Sequence, residues 1–195
     1  MKKPPANVAH RVPPGQVLTE KWPVLTYGET PQVDTAEWRL TLSGLVERPV
    51  VMTWDDLLAI PRAAVTCDMH CVTRWSKLDN RFEGARVRDV LARAVVKPAA
   101  RYVMAHSHGG YTTNMPLADL MGDDALLAYK YDGRPLEAEH GGPCRLLVPR
   151  LYLWKSAKWV NQLELLEKDQ PGFWERGGYH MYGDPWKEER HGWTW

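Results

Sequence analysis

The segment Cys67-Asp68-Met69-His70-Cys71-Val72-Thr73-Arg74-Trp75-Ser76 places two thiols, an imidazole and a guanidinium in one short stretch. Thiolate sulfur beside imidazole nitrogen is metal-ligand chemistry. The plainer role for Cys67 and Cys71 is packing, because free cysteines behave as small hydrophobes. His106 and His108 flank Ser107 ahead of Gly109-Gly110 and could complete a zinc set with the cysteines. Cys-x-x-x-Cys with His-x-His is not a well-attested zinc spacing, so a zinc-binding hydrolase or structural zinc protein rests on residue type alone. Cys71 could also serve as a hydrolytic nucleophile, but the spacing singles out no base.

A second group is Glu139-His140-Gly141-Gly142-Pro143-Cys144-Arg145, and a third is Tyr152-Leu153-Trp154-Lys155-Ser156-Ala157-Lys158-Trp159. Glycines let backbone N–H groups approach a ligand, and Arg145 and Lys158 add charge on what reads as an exposed basic turn. That is an anion cradle, or else an ordinary pair of solvated cations. No Gly-x-x-x-x-Gly-Lys-Ser/Thr run is present, which excludes a nucleotide P-loop.

The elements that must carry these groups are short. Trp38, Leu40 and Leu42 alternate with polar residues, which predicts a half-buried strand ending at Gly44. Thr53 is placed to cap a short helix stopped by Pro61. Ala63 to Thr66 reads as a buried strand delivering Cys67, His70 and Cys71. Val87, Val90, Leu91, Ala94 and Val95 fall at helical spacing before Pro98. Tyr102 to Ala105, Leu126 to Tyr131, Cys144 to Val148 and Trp159 to Leu166 read as strands, with one helical turn over Pro116 to Met121. The expected class is α+β, with mixed sheets and a few short helices.

The 195 residues predict a single domain, with 1–35 as a Pro-rich N-terminal arm and 169–195 as a Trp/Tyr-rich tail. The tail carries Trp174, Tyr179, Tyr182, Trp186, Trp193 and Trp195, a density that predicts packing on the protein's own sheet or a docking surface for a partner. With 25 Lys+Arg against 24 Asp+Glu the net charge is +1, which argues against a nucleic-acid partner. No run approaches the ~20 apolar residues of a membrane span. An odd set of three cysteines and an N-terminus without an apolar signal core predict a reducing, cytoplasmic location. The 10 Trp and 8 Tyr against 2 Phe favour walls that are part apolar and part wet, as in a cofactor cleft, or a Trp-rich core.

Taken in order, the three groups resemble the molybdopterin-binding domain of the sulfite oxidase family. Cys71-Val72-Thr73-Arg74-Trp75-Ser76 followed by Phe82-Glu83-Gly84 is similar to the ligand segment of the bacterial methionine-sulfoxide reductase branch. His140-Gly141-Gly142-Pro143-Cys144-Arg145-Leu146-Leu147-Val148-Pro149 and Tyr152-Leu153-Trp154-Lys155-Ser156-Ala157-Lys158 resemble that family's pterin and phosphate segments. The resemblance implies the family's molybdopterin-binding fold and a molybdenum bound by one pterin, with the Cys71 thiolate as protein ligand. It places pterin and phosphate contacts on Tyr27, Ser107, His140, Arg145, Ser156, Ala157 and Lys158, with Ser156 and Ala157 acting through backbone N–H. Arg74, His106 and His108 become candidates for the pocket of a small-molecule substrate. The implied activity is oxygen-atom transfer, with electrons from a separate partner protein because the chain shows no second redox motif.

Three departures refine this. Sulfite oxidases proper carry Cys-Ala-Gly-Asn-Arg-Arg, so the Cys-Val-Thr-Arg-Trp-Ser stretch argues against sulfite as substrate. The haem and dimerisation domains of larger relatives have no room in 195 residues. His140 stands where the reductase branch has Asn. A non-catalytic pterin-binding module is the remaining alternative.

Overall fold

The computed structural model describes residues 4–192, so Trp193 and Trp195 of the tail lie outside the described residues. The strands are β1 (Val17–Leu18), β2 (Arg39–Gly44), β3 (Val50–Thr53), β4 (Arg62–His70), β5 (Trp75–Arg86), β6 (Tyr102–Ser107), β7 (Thr112–Pro116), β8 (Leu126–Tyr131), β9 (Arg134–Pro135), β10 (Arg145–Leu147) and β11 (Val160–Leu166). The helices are α1 (Trp54–Leu58), α2 (Val87–Leu91), α3 (Leu117–Leu120) and α4 (Phe173–Arg176).

They form two mixed sheets. One runs β3-β2-β11-β6-β7, with β2 and β11 parallel and the other pairs antiparallel. The other runs β1-β5-β8-β10, with β4 also on β5 and β9 on β8. β5 pairs with β4 along one edge and, at its two ends, with β1 and β8 along the other. The expected α+β class with mixed sheets and short helices is the one found.

Local chemistry explains several elements. Leu40 and Leu42 are fully buried while Arg39 faces solvent, as the alternation in β2 requires. Thr53 Oγ1 accepts from Asp56 N, and the Asp56 carboxylate accepts from Thr53 N at 2.8 Å, a reciprocal cap that starts α1. The main core packs Trp38, Leu40, Leu42, Leu91, Met115 and Leu163 between the sheets and helices. A smaller cluster, including Met69, Cys71, Trp75 and Phe82, lies under the β4–β5 pair.

Two expectations need correction. β4 runs on to His70 through a bulge between Cys67 and Met69, beyond the expected Thr66. α2 ends at Leu91, and Val95 is an exposed residue with φ 52°. The apolar spacing there belongs to a turn that leaves the helix, so Val95 is not on its buried face. β3, β5 and β7 are strands without a clear sequence period, and Ser76 and Asn80 are fully buried in β5.

Candidate functional site

One cleft of about 380 Å³ gathers segments from all over the chain. Cys71, Val72, Thr73 and Trp75 come from the β4–β5 turn, and His140 and Arg145 from the entry to β10. Ser156, Ala157, Lys158 and Trp159 come from the stretch before β11. Trp22 and Tyr27 enter from the arm, Gly109 and Tyr111 from the β6–β7 hairpin, and Phe173, Trp174 and Tyr179 from the tail.

The thiol is tightly held. Cys71 N donates to Trp75 O at 2.9 Å, Arg74 N donates to Cys71 O at 3.0 Å, and Cys71 Sγ shares a 3.1 Å hydrogen bond with Thr73 Oγ1. Burial pushes the Cys71 thiol up, opposed chiefly by the Thr73 hydrogen bonds. Cys67 lies further back on β4, with its thiol pushed up to about 12 by burial. Its backbone O accepts from Asn80 Nδ2. Cys144 is fully buried in the main core.

The cleft is also cationic. Arg145 is buried, not part of an exposed turn, and donates through NH1 to His140 O and through NH2 to Ser156 O, both at 2.8 Å. Its Nε has no partner among the described residues. Burial lowers its pKa to about 10. Lys158 Nζ donates to Thr26 Oγ1 and Glu139 O, and burial with the nearby Arg145 charge lowers it to about 8. Among the described residues neither cation has a carboxylate hydrogen-bond partner, and two such desolvated cations suit an anion. Trp22 stacks on His140 at 3.9 Å and sits 5.4 Å over the Arg145 guanidinium. Burial, with Arg145 next, lowers the His140 pKa and favours its neutral ring.

Gly141 makes this arrangement possible. Its φ is 106°, and a Cβ there would come within 3.0 Å of both the Arg145 and Lys158 Cβ atoms. Gly141→Ala should therefore cost about 1–3 kcal/mol from the left-handed backbone and the crowding together. Urea unfolding of the purified variant checks this, and a loss below about 0.5 kcal/mol would contradict it.

The structure brings Tyr27, Cys71, His140, Arg145, Ser156, Ala157 and Lys158 to the cleft wall. It places Arg74, His106, Ser107 and His108 away from that wall. Arg74 is exposed in the β4–β5 turn, and His106 Nε2 on β6 shares a 3.0 Å hydrogen bond with Glu164 Oε2 on β11. Ser107 Oγ and His108 Nε2 are buried without partners among the described residues. The Ser156 N–H is already committed to Leu153 O, and its Oγ accepts from Val148 N. Thr73 and Trp22, which also line the cleft, carry no signal in the sequence beyond their residue types. Among the described residues the cysteines and histidines form no group close enough to share an ion; the one such group is Glu137, Glu139 and His140.

A cleft that gathers one ordered thiol and two desolvated cations can hold a metal by the sulfur and an anionic group of its cofactor by the cations. The chain matches the oxidoreductase molybdopterin binding domain over residues 27–174 and belongs to that family. It is 47% identical over 184 residues, 94% of this chain and 93% of the relative, to the uncharacterized oxidoreductase YuiH of Bacillus subtilis. It is 29% identical over 173 residues, 87% of this chain and 66% of the relative, to the putative protein-methionine-sulfoxide reductase subunit YedZ1 of Azospira oryzae. Among solved structures, the sulfane dehydrogenase SoxCD from Paracoccus pantotrophus matches with a TM-score of 0.68 and 27% identity, over 76% of this chain and 42% of that one. The sulfite-oxidase-like resemblance of the motifs is borne out at the level of the family, and the protein is a molybdopterin-binding oxidoreductase. The zinc alternative finds no support. No described helix is long and apolar enough to cross a membrane.

Proposed function

We propose that the cleft holds a molybdenum centre with one pterin, ligated by the Cys71 thiolate, and that the enzyme transfers an oxygen atom to or from a small molecule. The observation that carries this reading is that one cleft is lined by the Cys71 thiol and by Arg145 and Lys158, whose hydrogen bonds among the described residues go to backbone and hydroxyl oxygens. A metal bound there would supply two-electron chemistry and would deprotonate its thiol despite the burial that raises it.

The chain's own residues bind and orient. Arg145 and Lys158 take the phosphate, and His140, stacked on Trp22, walls the pterin. Tyr27 and the Ala157 backbone flank it. Thr73 Oγ1 hydrogen-bonds the ligand sulfur, and the packed rings of Trp154, Trp174 and Tyr179 in the cleft wall exclude water. Arg74, His106, Ser107 and His108 stand outside this wall and would act only through the residues they support.

Electrons come from a separate protein, for which the exposed Tyr27 at the cleft mouth is a landmark. We read the chain as one domain in which arm and tail both wrap the site. Three free cysteines favour a cytoplasmic setting.

Metal and pterin analysis of protein made in a molybdopterin-producing host tests the reading. The expected result is molybdenum and pterin in equal amounts, with turnover of sulfoxide or N-oxide substrates from an artificial donor. Stoichiometric zinc, or bound pterin without turnover, would overturn it.

The Lys158 ammonium gives a pH signature. Its pKa of about 8 means that an incoming phosphate must bind the charged form. Binding therefore takes up a proton above about pH 8 and weakens as pH rises beyond it. Pyrophosphate titrated into cofactor-free protein by calorimetry should show this decline, and Lys158→Met should bind more weakly with the decline flattened. A pH-independent affinity between 7 and 10 in the unmodified protein would contradict the assignment.

A further inference from the structure

Two segments outside the family domain reach the Cys71 turn. From the arm, Gln16 Nε2 donates to Cys71 O at 3.0 Å, and Val17 N donates to Arg74 O at 2.9 Å. From the tail, Arg190 NH1 donates to Val72 O at 2.7 Å, and NH2 reaches Pro14 O at 3.4 Å. Residues 14–17 precede the matched span of 27–174, and Arg190 follows it.

Arg190 is buried, lies 4.9 Å over the Tyr152 ring and is 3.7 Å from Glu188. Burying a guanidinium and spending its N–H groups on backbone carbonyls is costly, and the carbonyl that receives the shorter bond belongs to the residue after Cys71. The junction is close-packed. Gly15 has φ 69°, and a Cβ there would lie 2.6 Å from Glu188 Oε1 and 3.1 Å from Arg74 NH1. The turn it braces contains Arg74 at φ 76°, a left-handed non-glycine residue that persists only where its surroundings over-determine it. Cys71 N is tied to Trp75 O, and Cys71 O accepts from both Arg74 N and Gln16 Nε2.

We propose that Arg190 and Gln16 are positioning residues that fix the Cys71 turn, so that the arm and the tail complete the ligand loop of the family domain. The proposal rests on Cys71 being the metal ligand. Outer-shell partners of this kind set the orientation and basicity of a ligand, and the groups around a thiolate tune the metal it binds.

Hydrogen exchange of the holoenzyme, read on the 71–76 and 38–44 peptides, is paired with the sulfur-to-metal charge-transfer band. Arg190→Met removes a charge-assisted bond, so exchange in 71–76 should speed by about tenfold while 38–44 keeps its rate. The band should shift, and Arg190→Lys should restore part of both. Gln16→Leu, which leaves the tail intact, should act in the same direction and decides the question if Arg190→Met does not fold. Unchanged exchange in 71–76, or equal acceleration in both peptides, would overturn the positioning role. If instead Cys71→Ser leaves the band unaltered, the ligand reading fails, while the exchange comparison still measures the brace.

Discussion

Cys71→Ser is expected to reduce turnover to background and to abolish the sulfur-to-metal absorption. A serine hydroxyl is hard and poorly ionised where a soft thiolate is required. The fold should survive, because the backbone bonds of residue 71 to Trp75, Arg74 and Gln16 do not involve sulfur. Pterin should remain partly bound, since Arg145 and Lys158 also line the cleft and keep their charge. Cys67→Ser is the control. Cys67 packs against the smaller cluster and does not line the cleft, so its substitution should cost about 1–2 kcal/mol while the metal spectrum stays recognisable. Absorption spectra, metal content and urea midpoints of both variants check the pair. Normal turnover with an unchanged spectrum in Cys71→Ser would sink the ligand assignment.

Lys155→Met is expected to be the most destabilising single change considered. Both side chains of the Lys155–Glu175 pair are fully buried, with Nζ 2.6 Å from Oε1. The ammonium also donates to Asn114 O, Asn114 Oδ1 and Met181 O, while Glu175 Oε1 accepts from Thr113 Oγ1 and Trp154 Nε1. Removing one charge strands the other, at a cost of about 3–5 kcal/mol. Lys155→Met combined with Glu175→Leu should recover part of the loss, because no buried charge then remains. Lys155 sits in the turn that leads to Ser156 and Lys158, so cofactor retention should fall with stability in the single variant. Urea unfolding and pterin content measure the two effects. A loss under about 1 kcal/mol would show that the pair contributes little to holding the tail.

The legible parts of the fold were those with local causes. Trp38, Leu40 and Leu42 follow the strand period, and Thr53 with Asp56 is capping chemistry within one turn. β5 shows no clean alternation, because polar Ser76, Asn80 and Glu83 are buried in it beside Trp75, Phe82 and Ala85. Asn80 is satisfied by Tyr131 OH and Cys67 O, which the fold brings to it, and by nearby Lys77. At the site, the ordered motifs located Cys71, His140, Arg145 and Lys158 because each stands in a dense local group. Arg145 reads as exposed in the sequence because basic residues usually are, and nothing local announces its burial. Arg190 could not be found at all, since its partner Val72 lies 118 positions away in a segment without periodicity.

The parallel pairing of β2 with β11 has a kinetic consequence. Trp38 Nε1 donates to Val160 O across 122 positions, and β11 is both the last strand among the described residues and the middle strand of its sheet. Until β11 arrives, β2 and β6 each present an unpaired edge, and closing so long a loop makes for slow assembly. Ser156, Ala157 and Lys158 lead directly into β11, so the anion cradle is completed in the same event that closes the sheet. During synthesis, neither the cofactor nor a competing anion has a finished seat until nearly the whole chain has emerged.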